Sequence, residues 1–208
     1  MARRRLRRAE SQAQTRAELL TAAARVFERR GYSGASISEI AEAAGFSHGA
    51  VYSNFESKED LFLALYERWV ADRVSEIEAT WNADGTVVER ARATAVEWIE
   101  HFRGDPRAFL LRLEFVIRGV HDPELRRKLG TRVGAVPLAI KRLIEDALRR
   151  EGVSSSGAEE LALALQALSI GLALEALSNR EAVSPDLAGD LAARLVESFA
   201  DRARSHPR

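Results

Sequence analysis

At 208 residues and 46% hydrophobic composition, the chain can bury one large core or two small ones, and it falls outside the disordered class. The absence of cysteine excludes disulfides, thiol catalysis and zinc ribbons, and the four histidines (His48, His101, His121 and His206) are too scattered to grip a metal from one helix face. Net charge is zero but uneven: residues 1–55 carry nine Arg against five Glu, and the rest carries the compensating acidic excess.

Five of those arginines (Arg3, Arg4, Arg5, Arg7 and Arg8) lie within residues 1–10, a basic arm that is either drawn to a polyanion such as DNA or simply solvated. No apolar stretch follows it, so no secretory signal is expected. From Ser11, the positions Leu19, Ala23, Val26 and Phe27 recur at helical spacing, and Gly31 stops that helix. Ser36-Ile-Ser-Glu39 has the form of a capping box opening a two-turn helix that Gly45 ends. Ser47 opens a second short helix through Asn54, and Ser57 with Asp60 opens a third. Two short helices joined by Ala-Gly-Phe-Ser fit a helix-turn-helix, with Ile37, Ile40, Ala41, Ala44, Val51 and Phe55 as its buried face; Phe46 is also assigned to packing.

A long helix from Lys58 to about Trp81 carries the chain out of the head, so the domain junction is placed within it: a helix-turn-helix domain over 11–68, whose shape serves either DNA binding or plain scaffolding, and a body over 69–208. Helices are then expected from Thr86 to Phe102, from Asp105 to Gly119, from Asp122 to Arg150 with a kink at Pro137, from Ala158 to Ser178, and from Pro185 to Arg202. That makes nine helices, no strand, and an all-α fold of two domains. No run of 18 apolar residues is free of charge, so no membrane span is expected. The residues offer no phosphate loop, no nucleophile elbow and no converging acid, base or metal ligands, so neither enzyme activity nor a metal or cofactor is expected.

The segment Thr15 to Trp69 resembles the head of the tetracycline-repressor (TetR) family. The matching stretches are Ala22-Ala-Ala-Arg-Val-Phe27, Gly31-Tyr32, Ser36-Ile-Ser-Glu-Ile-Ala41, Ala44-Gly-Phe-Ser47, Gly49-Ala-Val-Tyr52, Asn54-Phe55 and Ser57-Lys58-Glu-Asp-Leu61. The resemblance implies a cytoplasmic repressor that binds a palindromic operator as a homodimer. In it Ser47 through Asn54 enters the major groove, Ser36, Tyr52 and Lys58 contact phosphate, and Gly49, Ala50 and Ser53 face the bases. On the residues alone, Tyr52 fits core and phosphate equally, and the resemblance turns it outward. His48 departs from the family, which usually has Lys or Arg there; imidazole is a weaker phosphate partner near pH 7.

In the body, helix 158–178 is apolar on nearly every side, and the last helix has a stripe of Leu187, Leu191, Leu195 and Phe199. Together they are read as a dimer interface through Leu168, Gly171, Leu172, Leu191, Leu195 and Phe199, against the alternative of a monomer core. The aromatics Trp81, Trp98, Phe102, Phe109 and Phe115, with His101, Glu114, Arg118, His121, Gln166 and Glu175 beside them, are either core or the wall of a pocket for an apolar or amphipathic effector. The ligand-binding set drawn from them is Trp98, His101, Phe102, Phe109, Phe115, Arg118 and Gln166. Two other functions fit less of the sequence: an all-helical enzyme, and an architectural DNA binder that senses nothing.

Overall fold

The computed structural model describes the backbone of residues 2–133, 135–152 and 154–205, and the side chains of 10–128, 138–152 and 154–202. Among the described residues there are ten helices and no strand: α1 (Ala2–Gly34), α2 (Ile37–Ala44), α3 (His48–Tyr52), α4 (Lys58–Trp81), α5 (Val87–Gly104), α6 (Arg107–His121), α7 (Pro123–Val133), α8 (Ala135–Arg150), α9 (Ala158–Ser178) and α10 (Pro185–Ser205).

The tenth helix corrects the expected nine. The stretch from Asp122 to Arg150 forms two helices rather than one kinked at Pro137. Pro137 falls in the first turn of α8, where a missing N–H removes no helical hydrogen bond, whereas mid-helix it would have broken one. The helix expected from Ser11 begins at Ala2 instead, so the backbone of the basic arm is helical; the side chains of its arginines lie outside the described residues.

The chain forms two compact units, 1–69 with 107–130, and 70–106 with 131–208. The first therefore contains α6 and most of α7, which the sequence reading assigns to the body. Its core is aromatic: Phe27, Tyr32, Phe62 and Phe115 are all buried, with Phe62 and Phe115 stacked at 3.8 Å between ring centroids. Edge-on contacts join Tyr32 to Phe62 at 5.4 Å and to Phe115 at 5.0 Å, the geometry that ring quadrupoles favour.

The second unit is built on α5, α8, α9 and α10 with the latter part of α4. Ile77, Trp81, Val87, Ala91, Ile144, Leu148, Leu161 and Val196 are its buried centre, with Leu195 and Phe199 packed against them. Thr86 and Glu89 cap α5 reciprocally, and the Val87 amide donates to Glu151 at 2.6 Å. α5 and α10 approach closely because position 189 has no side chain: a Cβ there would lie 2.8 Å from Val96 Cγ2 and 2.9 Å from Arg92 Cγ.

By length and composition α9 is apolar enough to cross a membrane, in spite of Glu160 and Glu175 near its ends.

Candidate nucleic-acid interface

The helix-turn-helix assembles from local chemistry. Ser36 caps α2: its Oγ accepts from the Glu39 amide at 3.2 Å, and Glu39 Oε2 accepts from the Ser36 amide and hydroxyl at 3.0 Å each. Those bonds, helped by Arg30 and Arg29, hold the Glu39 carboxyl below its ordinary pKa of 4.5. Gly45 adopts the left-handed conformation (φ 72), which glycine takes without strain, and the Phe46 amide closes the turn onto Ala41 O at 2.9 Å. Ser47 then caps α3 by accepting from the Ala50 amide at 3.2 Å.

α3 ends at Tyr52, two residues sooner than expected, with Ser53 and Asn54 in a hydrogen-bonded turn. Val51 is its buried side, together with Phe55 just beyond. Ser47, His48, Gly49, Tyr52 and Ser53 are exposed and Ala50 is half-buried, so six of the eight residues expected to meet DNA lie on or at the ends of one short helix, with Ser36 and Lys58 at the starts of α2 and α4. Tyr52 is 50% exposed, its ring edge-on to His48 at 5.0 Å, which removes it from the core. The Ser53 hydroxyl donates back to Ala50 O at 2.8 Å.

Two cations behave differently from the sequence reading. Arg16, which attracted no notice, donates to Asn54 O at 2.6 Å and lies 4.1 Å over the Phe55 ring, tying the end of α3 to α1. Lys58, expected at a phosphate, donates to the carbonyls of Tyr32 and Ala35 at 3.0 Å each and sits 4.5 Å over the Tyr32 ring. Burial, and then Arg118 nearby, lower its pKa from the ordinary 10.5.

The expected effector residues divide between the two units. In the first, Phe109 and Phe115 are buried, Phe115 in the aromatic core, and exposed Arg118 lies 4.8 Å over the Tyr32 ring. In the second, Trp98 donates its indole N–H to Ser169 O at 3.3 Å, with Phe102 6.3 Å away and the Arg73 guanidinium 5.1 Å above its ring. Phe102 is buried and His101 exposed. Gln166, one helical turn before Ser169, has a buried Oε1 that receives no hydrogen bond from any described group.

Of the expected dimer residues, Leu168, Leu172 and Leu191 are half-buried and Gly171 is exposed with open space where a Cβ would be, while Leu195 and Phe199 pack on their own unit's core. The large apolar side chains left outermost on α9 are Leu163, Leu174 and Leu177, with Leu163 63% exposed.

A capped helix, a glycine turn and a short second helix with its polar face outward, on an all-helical chain, define a helix-turn-helix transcriptional regulator. Residues 19–65 match the family described as bacterial regulatory proteins, tetR family, and residues 87–201 match the BetI-type transcriptional repressor C-terminal region. The chain belongs to the tetR family of bacterial regulatory proteins. It is 31% identical over 173 residues to the HTH-type transcriptional activator FasR of Mycolicibacterium smegmatis, covering 83% of this chain and 77% of that one. Its fold is shared with the fatty acid degradation regulator FadR from Bacillus halodurans (TM-score 0.70, 18% identity, 87% of this chain and 93% of that one). It is likewise shared with FadR from Bacillus subtilis in complex with stearoyl-CoA (TM-score 0.64, 16% identity, 86% and 95%).

Proposed function

We propose that this regulator is a cytoplasmic repressor that binds a palindromic operator as a homodimer and is released by an amphipathic effector held in the second unit. The observation that carries the dimer is α9: only 22% of its most apolar stretch is buried within one chain, and Leu163, Gly171 and Leu174 leave an apolar outer face. A face of that kind needs a cover, and a second copy brings a second reading head for a two-fold operator. Repression is favoured by the BetI-type repressor match over 87–201.

In this reading Gly49, Ala50 and Ser53 face the bases, Ser47, His48 and Tyr52 lie along the backbone, and Ser36 and Lys58 act mainly by fixing the head's own turns. The effector reading is supported by Gln166 Oε1, a buried acceptor with no donor among the described residues, beside the Trp98–Ser169 contact, and by the stearoyl-CoA bound to a protein of the same fold. An unmet acceptor beside aromatic and aliphatic side chains suits an apolar chain with a donor-bearing polar group.

Linkage fixes the test. Titration calorimetry with stearoyl-CoA and shorter acyl-CoA esters is run on the free protein and on the operator complex. Operator must weaken effector binding by the same factor by which effector weakens operator binding, about 1–3 kcal/mol of coupling. An acyl-CoA that binds equally well with and without operator contradicts effector release.

A further inference from the structure

The turn between α1 and α2 is held by charged side chains from outside the helix-turn-helix. Gly31 (φ 70, ψ 170) breaks the helical geometry of α1. The amides just beyond it are taken by Glu114 of α6: its carboxylate accepts from the Tyr32 amide at 2.9 Å and from the Ser33 amide and hydroxyl at 3.1 and 3.2 Å. A Cβ at position 31 would stand 3.2 Å from Glu114 Oε2, so the glycine also makes room for that approach. The carbonyls of the same turn, Tyr32 and Ala35, belong to the Lys58 ammonium. An anion thus holds the donors of one turn and a cation holds its acceptors, each the stronger, charge-assisted kind of bond.

α6 is itself fixed to this spot. Phe115, the residue after Glu114, stacks on Phe62 and touches the Tyr32 ring, and Arg118 one turn on lies over that ring and reaches the Ser33 hydroxyl at 3.4 Å. Tyr32 therefore follows α6 through its ring and its amide together. Past Tyr32 the chain has little freedom before the recognition helix: Ser36 caps α2, and the closed turn at Gly45 and Phe46 joins α2 to α3.

We propose that Glu114 is a positioning residue for DNA recognition, setting the direction of α2 and α3 through the amides of Tyr32 and Ser33. It reaches no DNA itself. Electrostatics and positioning make opposite predictions for Glu114→Gln in the full-length protein. Removing a negative charge from a DNA-binding head tightens binding if charge alone acts. Loss of the carboxylate clamp weakens it if Glu114 positions the head, because the two backbone N–H groups bond to different carboxylate oxygens and glutamine offers one uncharged acceptor oxygen in place of two.

The experiment is fluorescence anisotropy over a salt series, with a duplex selected from a random pool by the wild-type protein. Glu114→Gln is expected to weaken binding about tenfold, the scale of one lost charge-assisted hydrogen bond, with an unchanged salt slope. The loss persists at low temperature, where circular dichroism shows the variant fully folded. Ser33→Ala, which removes the hydroxyl's contacts with Glu114 and Arg118 and leaves both amide bonds in place, gives a smaller loss in the same direction, and this variant decides the matter if Glu114→Gln does not fold. Equal or tighter binding by folded Glu114→Gln, a changed slope, or a loss that tracks the unfolded fraction overturns the proposal; so does undiminished binding by Ser33→Ala when that variant stands alone.

Discussion

Lys58 carries its ammonium against the carbonyls of Tyr32 and Ala35, whereas His48 stands exposed at the start of α3, so the two side chains answer differently to a change of charge. Lys58→Met is expected to lower stability by about 1–3 kcal/mol through two lost bonds from a charged donor, and to leave the salt slope of DNA binding unchanged. Denaturant melts and a salt series check both halves; a slope shallower by about one unit would return Lys58 to the phosphate backbone. His48→Lys is expected to tighten binding and steepen that slope by about one unit, since one more phosphate is neutralised. If neither changes, His48 points away from the backbone. Both roles illustrate what a sequence can carry at this scale. Ser36, Glu39 and Ser47 were legible because each bonds within three residues of itself. The partners of Lys58, Arg16 and Glu114 were not, because a long charged side chain takes whatever the fold brings near. Glu114 drew attention as a polar group beside an apolar surface, yet its partners stand more than eighty residues earlier.

Among the elements, α2 and α5 open with the same reciprocal cap, Ser36 with Glu39 and Thr86 with Glu89. In both, hydrogen bonds from the capping residue hold the glutamate below its ordinary pKa of 4.5. A carboxyl with a lowered folded pKa adds stability at pH values above the unfolded value, and that stability is lost as the pH falls through the folded one. Acidification below about pH 4.5 is therefore expected to lower the melting temperature, and Glu39→Gln and Glu89→Gln to make that fall shallower; identical acid profiles for wild type and both variants would contradict the cap reading. The α5–α10 contact makes a sharper demand. Gly189→Ala pushes a methyl into Val96 and Arg92 and is expected to cost about 1–3 kcal/mol in urea unfolding, whereas an unchanged midpoint means the two helices can separate freely. Helical periodicity makes these elements legible; the start of α1, the end of α3 and the division of Asp122 to Arg150 into two helices are where the structure departs from it. A proline inside a periodic pattern reads the same whether it kinks one helix or sits in the first turn of a second, and packing makes the choice.

For the whole molecule, the division of the chain was the least legible feature. α6 and most of α7 fall in the head's unit rather than with α5 before them and α8 after them in sequence. The inner residues of α6, Phe109, Leu111 and Phe115, form the same kind of buried stripe that any body helix would show, so composition could not assign it. The expected pocket was drawn across that division for this reason. Self-association is testable without DNA. Gly171→Leu meets open space within one chain, so it is expected to keep the wild-type fold by circular dichroism while light scattering reports a monomer. A dimer that survives this change moves the interface off the outer face of α9.

The central claim, a two-fold helix-turn-helix regulator, is tested most directly by selecting duplexes from a random pool with the full-length protein and measuring the affinity of the enriched sequence against salt. The account predicts a palindrome with half-site centres about 10–10.5 base pairs apart or a multiple of that, and log affinity falling steeply and linearly with log salt. A pool that yields no enriched sequence, or a single half-site bound by one chain, would contradict it.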